Sequence, residues 1–226
     1  MILVDRQIRE AVEKGEIVIK PFEESQLQAA SYDLRVGLQG ATTSTKKIVS
    51  IDREGYLLLK PGDFAIVTMF EELKFDNYHV GRIGLRSKYA RKGLIATTGP
   101  QIDPGYEGRL IVGLYNLTPK QISLPYKDDL LTIEIHKLEE PCLKPYSGPY
   151  QGKYSIGPQD IEMVVETESL SYSEMLTTLS SLSKNVGELA SDVRTLANDV
   201  RTLKWTIPVI VTFGITVIAI IVGFVK

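Results

Sequence analysis

The stretch Arg86-Ser87-Lys88-Tyr89-Ala90-Arg91 carries three cations and a hydroxyl, and Ile102-Asp103-Pro104-Gly105-Tyr106-Glu107-Gly108 begins sixteen residues after Arg86. A guanidinium can fork onto two phosphate oxygens, Ser87 adds a hydroxyl donor, and Lys88 adds a compact positive charge. A carboxylate such as Asp103 can orient a water, and the Tyr106 ring can lie against a sugar. Together these are the parts of a nucleoside triphosphate site. Singly, each has a plainer reading. Arg86 and Arg91 are five residues apart, so they need not share a helix face and can belong to a basic surface. Asp103-Pro104-Gly105 is a common turn sequence in which the aspartate can be purely structural.

Composition narrows the chemistry. The chain has 226 residues and a net charge of −2, enough length for one substantial core and no basic field to argue for nucleic acid. Cys142 is the single cysteine, which rules out an intramolecular disulfide and fits a reducing compartment. The histidines, His79 and His136, lie far apart, and Pro141-Cys142-Leu143-Lys144-Pro145 lacks the second cysteine of a zinc deaminase signature.

The elements that must position these residues are mostly strands. Ile8 and Val12, four apart behind the capping type Asp5, predict a short helix over 5–14. Apolar runs bounded by Gly, Pro and Asp predict strands at 17–20, 31–36, 56–60, 64–70, 82–85, 110–115, 122–125 and 131–136. Many short strands at this spacing indicate a mainly β sandwich or barrel. Runs 64–70 and 110–115 are apolar on both faces, as in a buried strand or a subunit interface. The Gly- and Pro-rich stretch 145–158 is loop chemistry, and 161–165 is either a last strand or the start of a connector.

From Tyr172 onward apolar residues alternate steps of three and four through Met175, Leu179, Leu182, Val186, Leu189, Val193, Leu196, Val200 and Leu203. That is a coiled-coil repeat, the other reading being an amphipathic helix packed on the β domain. Valine at a with leucine at d leans toward two strands, while Ala190 and Ala197 at e widen the stripe for a larger bundle. Residues 205–225 contain no charge, and 21 residues of helix span about 31 Å, the thickness of a bilayer core. Trp205 suits one interface and Lys226 the other, so a membrane span is expected instead of a buried core helix. Lys184, Arg194, Arg201 and Lys204 precede the span and place the N-terminal domain in the cytoplasm, with a single-pass C-terminal anchor.

Seven ordered motifs over about residues 1–155 resemble the dCTP deaminase/dUTPase superfamily. They are Met1-Ile-Leu-Val-Asp-Arg-Gln-Ile-Arg9, Ile19-Lys-Pro-Phe22, Leu27-Gln-Ala-Ala-Ser-Tyr-Asp-Leu-Arg-Val-Gly37, Arg86-Ser-Lys-Tyr-Ala-Arg-Lys-Gly-Leu94, residues 102–108, Leu114-Tyr-Asn116 and Tyr150-Gln-Gly152. The resemblance implies a distorted β-barrel, jelly-roll-like, assembled as a homotrimer with active sites between subunits and Mg²⁺ bound to the triphosphate. It implies that Arg86, Ser87 and Lys88 hold phosphates and that Arg91 bridges subunits near the site. Gly99 and Ile102 would serve nucleotide binding through the backbone, Tyr106 would lie under the deoxyribose, and Tyr146 and Gln151 would close on the nucleotide. The deaminase branch uses a glutamate at the position of Gly113, and often a lysine at the position of Pro149; its usual tail survives only as Gly157-Pro158-Gln159. The dUTPase branch needs no such glutamate and uses the aspartate matched by Asp103 to activate water. In relatives a C-terminal arm closes over the nucleotide, whereas here it must run into the following helix.

The expected organisation is a dUTPase/dCTP deaminase-like nucleotide-binding domain at 1–157, a connector at 158–170, a coiled coil at 171–204 and a transmembrane helix at 205–225. The expected function is a membrane-tethered dUTP diphosphatase, forming dUMP and pyrophosphate, with no nucleic-acid partner. The alternatives are an inactive deoxynucleotide sensor or scaffold signalling through the coiled coil and, behind it, a dCTP deaminase.

Overall fold

The structure, a computed structural model, describes residues 1–167 and 172–224. The chain divides into two units, Met1–Ser173 and Glu174–Lys226.

The first unit begins with α1 (Asp5–Glu13), β1 (Ile17–Lys20), β2 (Leu27–Gln28), the long β3 (Ser31–Thr42) and β4 (Val49–Ser50). Next come α2 (Ile51–Glu54), β5 (Tyr56–Leu59), β6 (Phe64–Phe75), β7 (His79–Leu85), α3 (Ser87–Ala90) and β8 (Leu94–Ala96). It ends with β9 (Gln101–Ile102), β10 (Glu107–Asn116), β11 (Ile122–Pro125), β12 (Asp129–Lys137) and α4 (Pro158–Glu166). A 10-stranded sheet runs β8-β10-β6-β3-β12-β7-β9, and β11 pairs with β5 in a smaller one. The fold is mainly β, with a short N-terminal helix, as the sequence predicts.

β3 makes the sheet curl. Its residues Tyr32–Arg35 pair with β12, and from Val36 it pairs with β6, with a register break between Val36 and Gly40. Such a break bends the strand and increases its twist. Gly37 sits there because a Cβ would lie 2.5 Å from the Met69 carbonyl oxygen.

β6 explains the run that reads apolar on both faces. Ala65, Val67 and Met69 enter the main core, while Phe64 and Ile66 point the other way into a second cluster with Ala41, Ile156 and Val164. Val164 belongs to α4, so a helix covers the face that the sequence left open. The stretch 161–165 is therefore helical, neither a strand nor extended connector. Pro158 at the first turn and the three-residue step from Ile161 to Val164 are the local reasons. At α1, Val4 and not Asp5 is the cap, and its N–H donates to Gln7 Oε1 at 3.1 Å.

In the second unit α5 (Tyr172–Phe224) is one 53-residue helix. Expected coil and expected span are thus continuous in secondary structure. The helix is long and apolar enough to cross a membrane, with a mean hydropathy of 1.3 in its most apolar part.

Candidate nucleotide site

β9 lies antiparallel to β7, with Ile102 opposite Gly81, and this pairing delivers Asp103 to the head of a tight turn. The Tyr106 N–H donates to the Asp103 carbonyl at 3.2 Å, Pro104 takes the second position, and Gly105 has φ +81°. That is a type II turn, whose third position favours glycine. The turn therefore explains Pro104 and Gly105, yet leaves the Asp103 carboxylate half-buried and accepting from Gln101 Nε2 at 2.6 Å.

The segment after β12 folds back on this turn. The Tyr146 N–H donates to the Pro104 carbonyl and the Gly152 N–H to the Glu107 carbonyl, both at 2.8 Å. The Gln151 amide donates to the Gly105 carbonyl at 3.0 Å and accepts from the Glu107 N–H at 3.2 Å. Gln151, expected on the nucleotide, is thus engaged with the backbone of the turn. Tyr106 is buried with its ring centroid 5.7 Å from that of Tyr146. Burial pushes its phenol up, with Tyr146 and Tyr154 adding to the shift, so it remains a neutral, largely apolar surface.

A cavity of about 400 Å³ opens beside these residues, within the range of small-molecule sites. Gly99, Ile102, Asp103, Tyr106 and Tyr146 line it, with Thr97, Thr98, Arg109, Tyr150, Gly113 and, from α4, Asp160 and Met163. A Cβ on Gly113 would lie 2.3 Å from Thr97 Oγ1 and 3.3 Å from the Phe64 ring. The Gly113 N–H donates to Thr98 Oγ1 at 2.7 Å. The Thr97 hydroxyl therefore sits where a Cβ at this position would go.

The basic cluster is elsewhere in the chain. Arg86 precedes α3, and its guanidinium pairs with the buried Asp33, which also accepts from Thr132 Oγ1 at 2.8 Å and Gln28 Nε2 at 3.1 Å. Lys88 Nζ reaches Asp128 Oδ1 at 2.5 Å, and the Tyr89 hydroxyl donates to the same carboxylate. Burial opposes the charge on Asp128, but the Lys88 and Tyr89 hydrogen bonds outweigh it and hold the carboxyl below its ordinary value. Ser87, Lys88 and Arg91 are exposed. Arg86 lies five residues beyond Gly81, the partner of Ile102, a separation of roughly 17 Å along a strand. One chain thus gathers Gly99, Ile102, Asp103, Tyr106 and Tyr146 and sets Arg86, Ser87, Lys88 and Arg91 apart.

Sequence reasoning missed Asp33 and Asp128, which fix the basic cluster, and Thr97, Thr98, Tyr150, Arg109 and Asp160 at the cavity. Asp33 and Tyr150 did lie within the motifs at 27–37 and 150–152, but nothing local showed what they would touch.

A family model described as dCTP deaminase-like matches residues 2–128. The dCTP deaminase of Thermococcus sibiricus is 38% identical over 152 residues, covering 67% of this chain and 92% of that protein. A protein named "dCTP deaminase, dUMP-forming" from Aquifex aeolicus is 32% identical over 179 residues, covering 75% of this chain and 99% of its own. Among solved structures, the 2′-deoxycytidine 5′-triphosphate deaminase of Agrobacterium tumefaciens shares the fold with a TM-score of 0.51 at 19% identity. That match covers 59% of this chain and 46% of the other, so it spans less than half of the solved chain. By sequence, the chain belongs to the dCTP deaminase-like family of nucleotide-processing proteins.

Proposed function

We propose that this protein is a membrane-tethered dUTP diphosphatase that hydrolyses dUTP to dUMP and pyrophosphate. The observation that carries the reading is Gly113: the position that would need a proton-moving glutamate for deamination has no side chain, and the Thr97 hydroxyl would have to move to admit one. Asp103 meanwhile keeps a carboxylate on the cavity wall. Relatives named for dCTP deamination support a pyrimidine deoxynucleoside triphosphate as the substrate class, and the dUMP-forming relative points to the remaining step. Making dUMP from dCTP takes two hydrolyses, one at the ring and one at the α-phosphate; without the first, the second is left.

In this mechanism Asp103 accepts a proton from a water as that water forms a bond to the α-phosphorus. The bridging P–O bond to the β-phosphate breaks, and pyrophosphate leaves. Tyr106 offers the deoxyribose a flat, neutral surface that leaves little space for a 2′-hydroxyl. Arg86 and Ser87 hold phosphates from a second copy of the chain, because Arg86 and Asp103 are too far apart in one. The split site thus supports the homotrimer that the resemblance implies. In this reading the cation is carried on the triphosphate, as the family resemblance implies. Mg²⁺ bound in that way would neutralise phosphate charge.

A second reading rests on α4 and Gln151. Where relatives close a mobile arm, this chain packs a helix against the cavity and commits Gln151 to the turn, which favours binding without turnover in a nucleotide sensor or scaffold. The test is pyrophosphate and ammonia release by the full chain in detergent with Mg²⁺ and dUTP, dCTP or dTTP. Pyrophosphate from dUTP, reduced about 10²- to 10⁴-fold in Asp103→Asn, is the expected result. A rise in Tm with dUTP but no product would establish the second reading, and ammonia from dCTP would overturn both.

A further inference from the structure

Between Leu179 and Leu203, α5 exposes eight apolar residues at alternating steps of three and four, each 51–64% exposed. An apolar line with this period needs a partner of the same period, which is another helix. We propose that the partner is the same stripe on further copies of this chain, running parallel and in register.

The flanking charges select that arrangement. With Val200 at a and Leu203 at d, Asp199 occupies g and Lys204 the next e. In a parallel, unstaggered coil each g residue faces the e residue five positions on in its neighbour, so Asp199 meets Lys204 of a second copy. Among the described residues neither has an ion-pair partner in its own chain, whereas Lys184 and Glu188 on the outer face pair internally at 3.8 Å. An antiparallel arrangement sets g against g, which brings Asp192 and Asp199 together. The near-repeat of Asp192-Val-Arg-Thr-Leu-Ala-Asn198 in Asp199-Val-Arg-Thr-Leu-Lys-Trp205 would otherwise tolerate a slip of one heptad. Only the second repeat has lysine at e, where the first has Ala197. A slipped pair can therefore satisfy one edge but not its reciprocal.

The proposal is independent of nucleotide chemistry, and so is its test. In the full chain in detergent, with Cys142→Ser as background, Val200→Cys should form an inter-chain disulfide on mild oxidation. Asn198→Cys, on the outer face, should react at least about tenfold more slowly, because its thiols point apart. Asp199→Lys should slow linkage at Val200→Cys, and adding Lys204→Asp should restore it. Equal rates at the two cysteine positions would overturn the shared stripe. Linkage indifferent to the charge reversal would overturn the register.

Discussion

Gly113 is the residue on which the proposed choice of dUTP hydrolysis over deamination turns. Introducing a carboxylate alone should not give deamination, because Thr97 Oγ1 must first be displaced and the Phe64 ring crowds the same spot. Gly113→Glu is expected to release no ammonia from dCTP and to lower stability by about 1–3 kcal/mol, the usual cost of overpacking. Calorimetry and an ammonia assay check both, and Thr97→Gly in the same chain should recover part of the lost Tm. The basic cluster has its own pH signature. Asp128 has a lowered folded pKa, so its contribution to stability is present above the unfolded value of about 3.9 and is lost as pH falls through the folded one. Asp128→Asn should therefore cost about 1–2 kcal/mol at pH 7, and the gap to the parent should close below roughly pH 4. A gap of the same size at pH 3 and pH 7 would show that the carboxylate charge is not what docks α3.

Strands were legible where apolar alternation was clean: 17–20 and 122–125 coincide with β1 and β11. β6 was cut short at Phe70 because Glu71, Glu72 and Lys74 interrupt the apolar run, although Glu71 is buried against Arg35 at 2.7 Å. Such pairing across the sheet is a tertiary fact that no local pattern announces. Asp103 was legible because its turn is local, and Gln151 was not, because its partners lie more than forty residues away. α4 was hidden for a related reason: its apolar residues matter only once Phe64 and Ile66 provide a face to cover. Its start depends on Asp160, which accepts from the Gly157 N–H and from Lys153 Nζ, each at 2.7 Å. Asp160→Ala removes a cap and strands a lysine, at a cost of about 1–3 kcal/mol. Amide exchange over 158–166 should accelerate, and because α4 walls the cavity, nucleotide affinity should fall as well. Unchanged exchange there would mean that packing alone holds the helix.

At the scale of the whole chain, a domain of the dCTP deaminase-like family and a 53-residue helix share one polypeptide, and under the proposed function the helix sets where that domain acts. Its apolar part from Trp205 onward exposes Ile207, Val209, Ile210, Phe213 and Ile215 almost all round, with none of that surface buried in the chain itself. A coiled coil needs only one stripe, and it is on this second, all-round apolar pattern that the proposed bilayer anchor rests. Thr212 and Thr216 do not break the pattern, because each hydroxyl donates to the carbonyl four residues back, at 2.7 and 2.8 Å. The full chain should float with lipid vesicles and resist alkaline extraction. Ile215→Arg puts a charge near the centre of the span, at about 2.5–3.5 kcal/mol on an insertion scale, and should shift a large share of the protein to the extractable fraction. Leu189→Arg, on the preceding stripe, should disturb self-association but not extraction. If both variants stayed with the vesicles, or the parent chain came off at alkaline pH, residues 205–225 would not be the anchor.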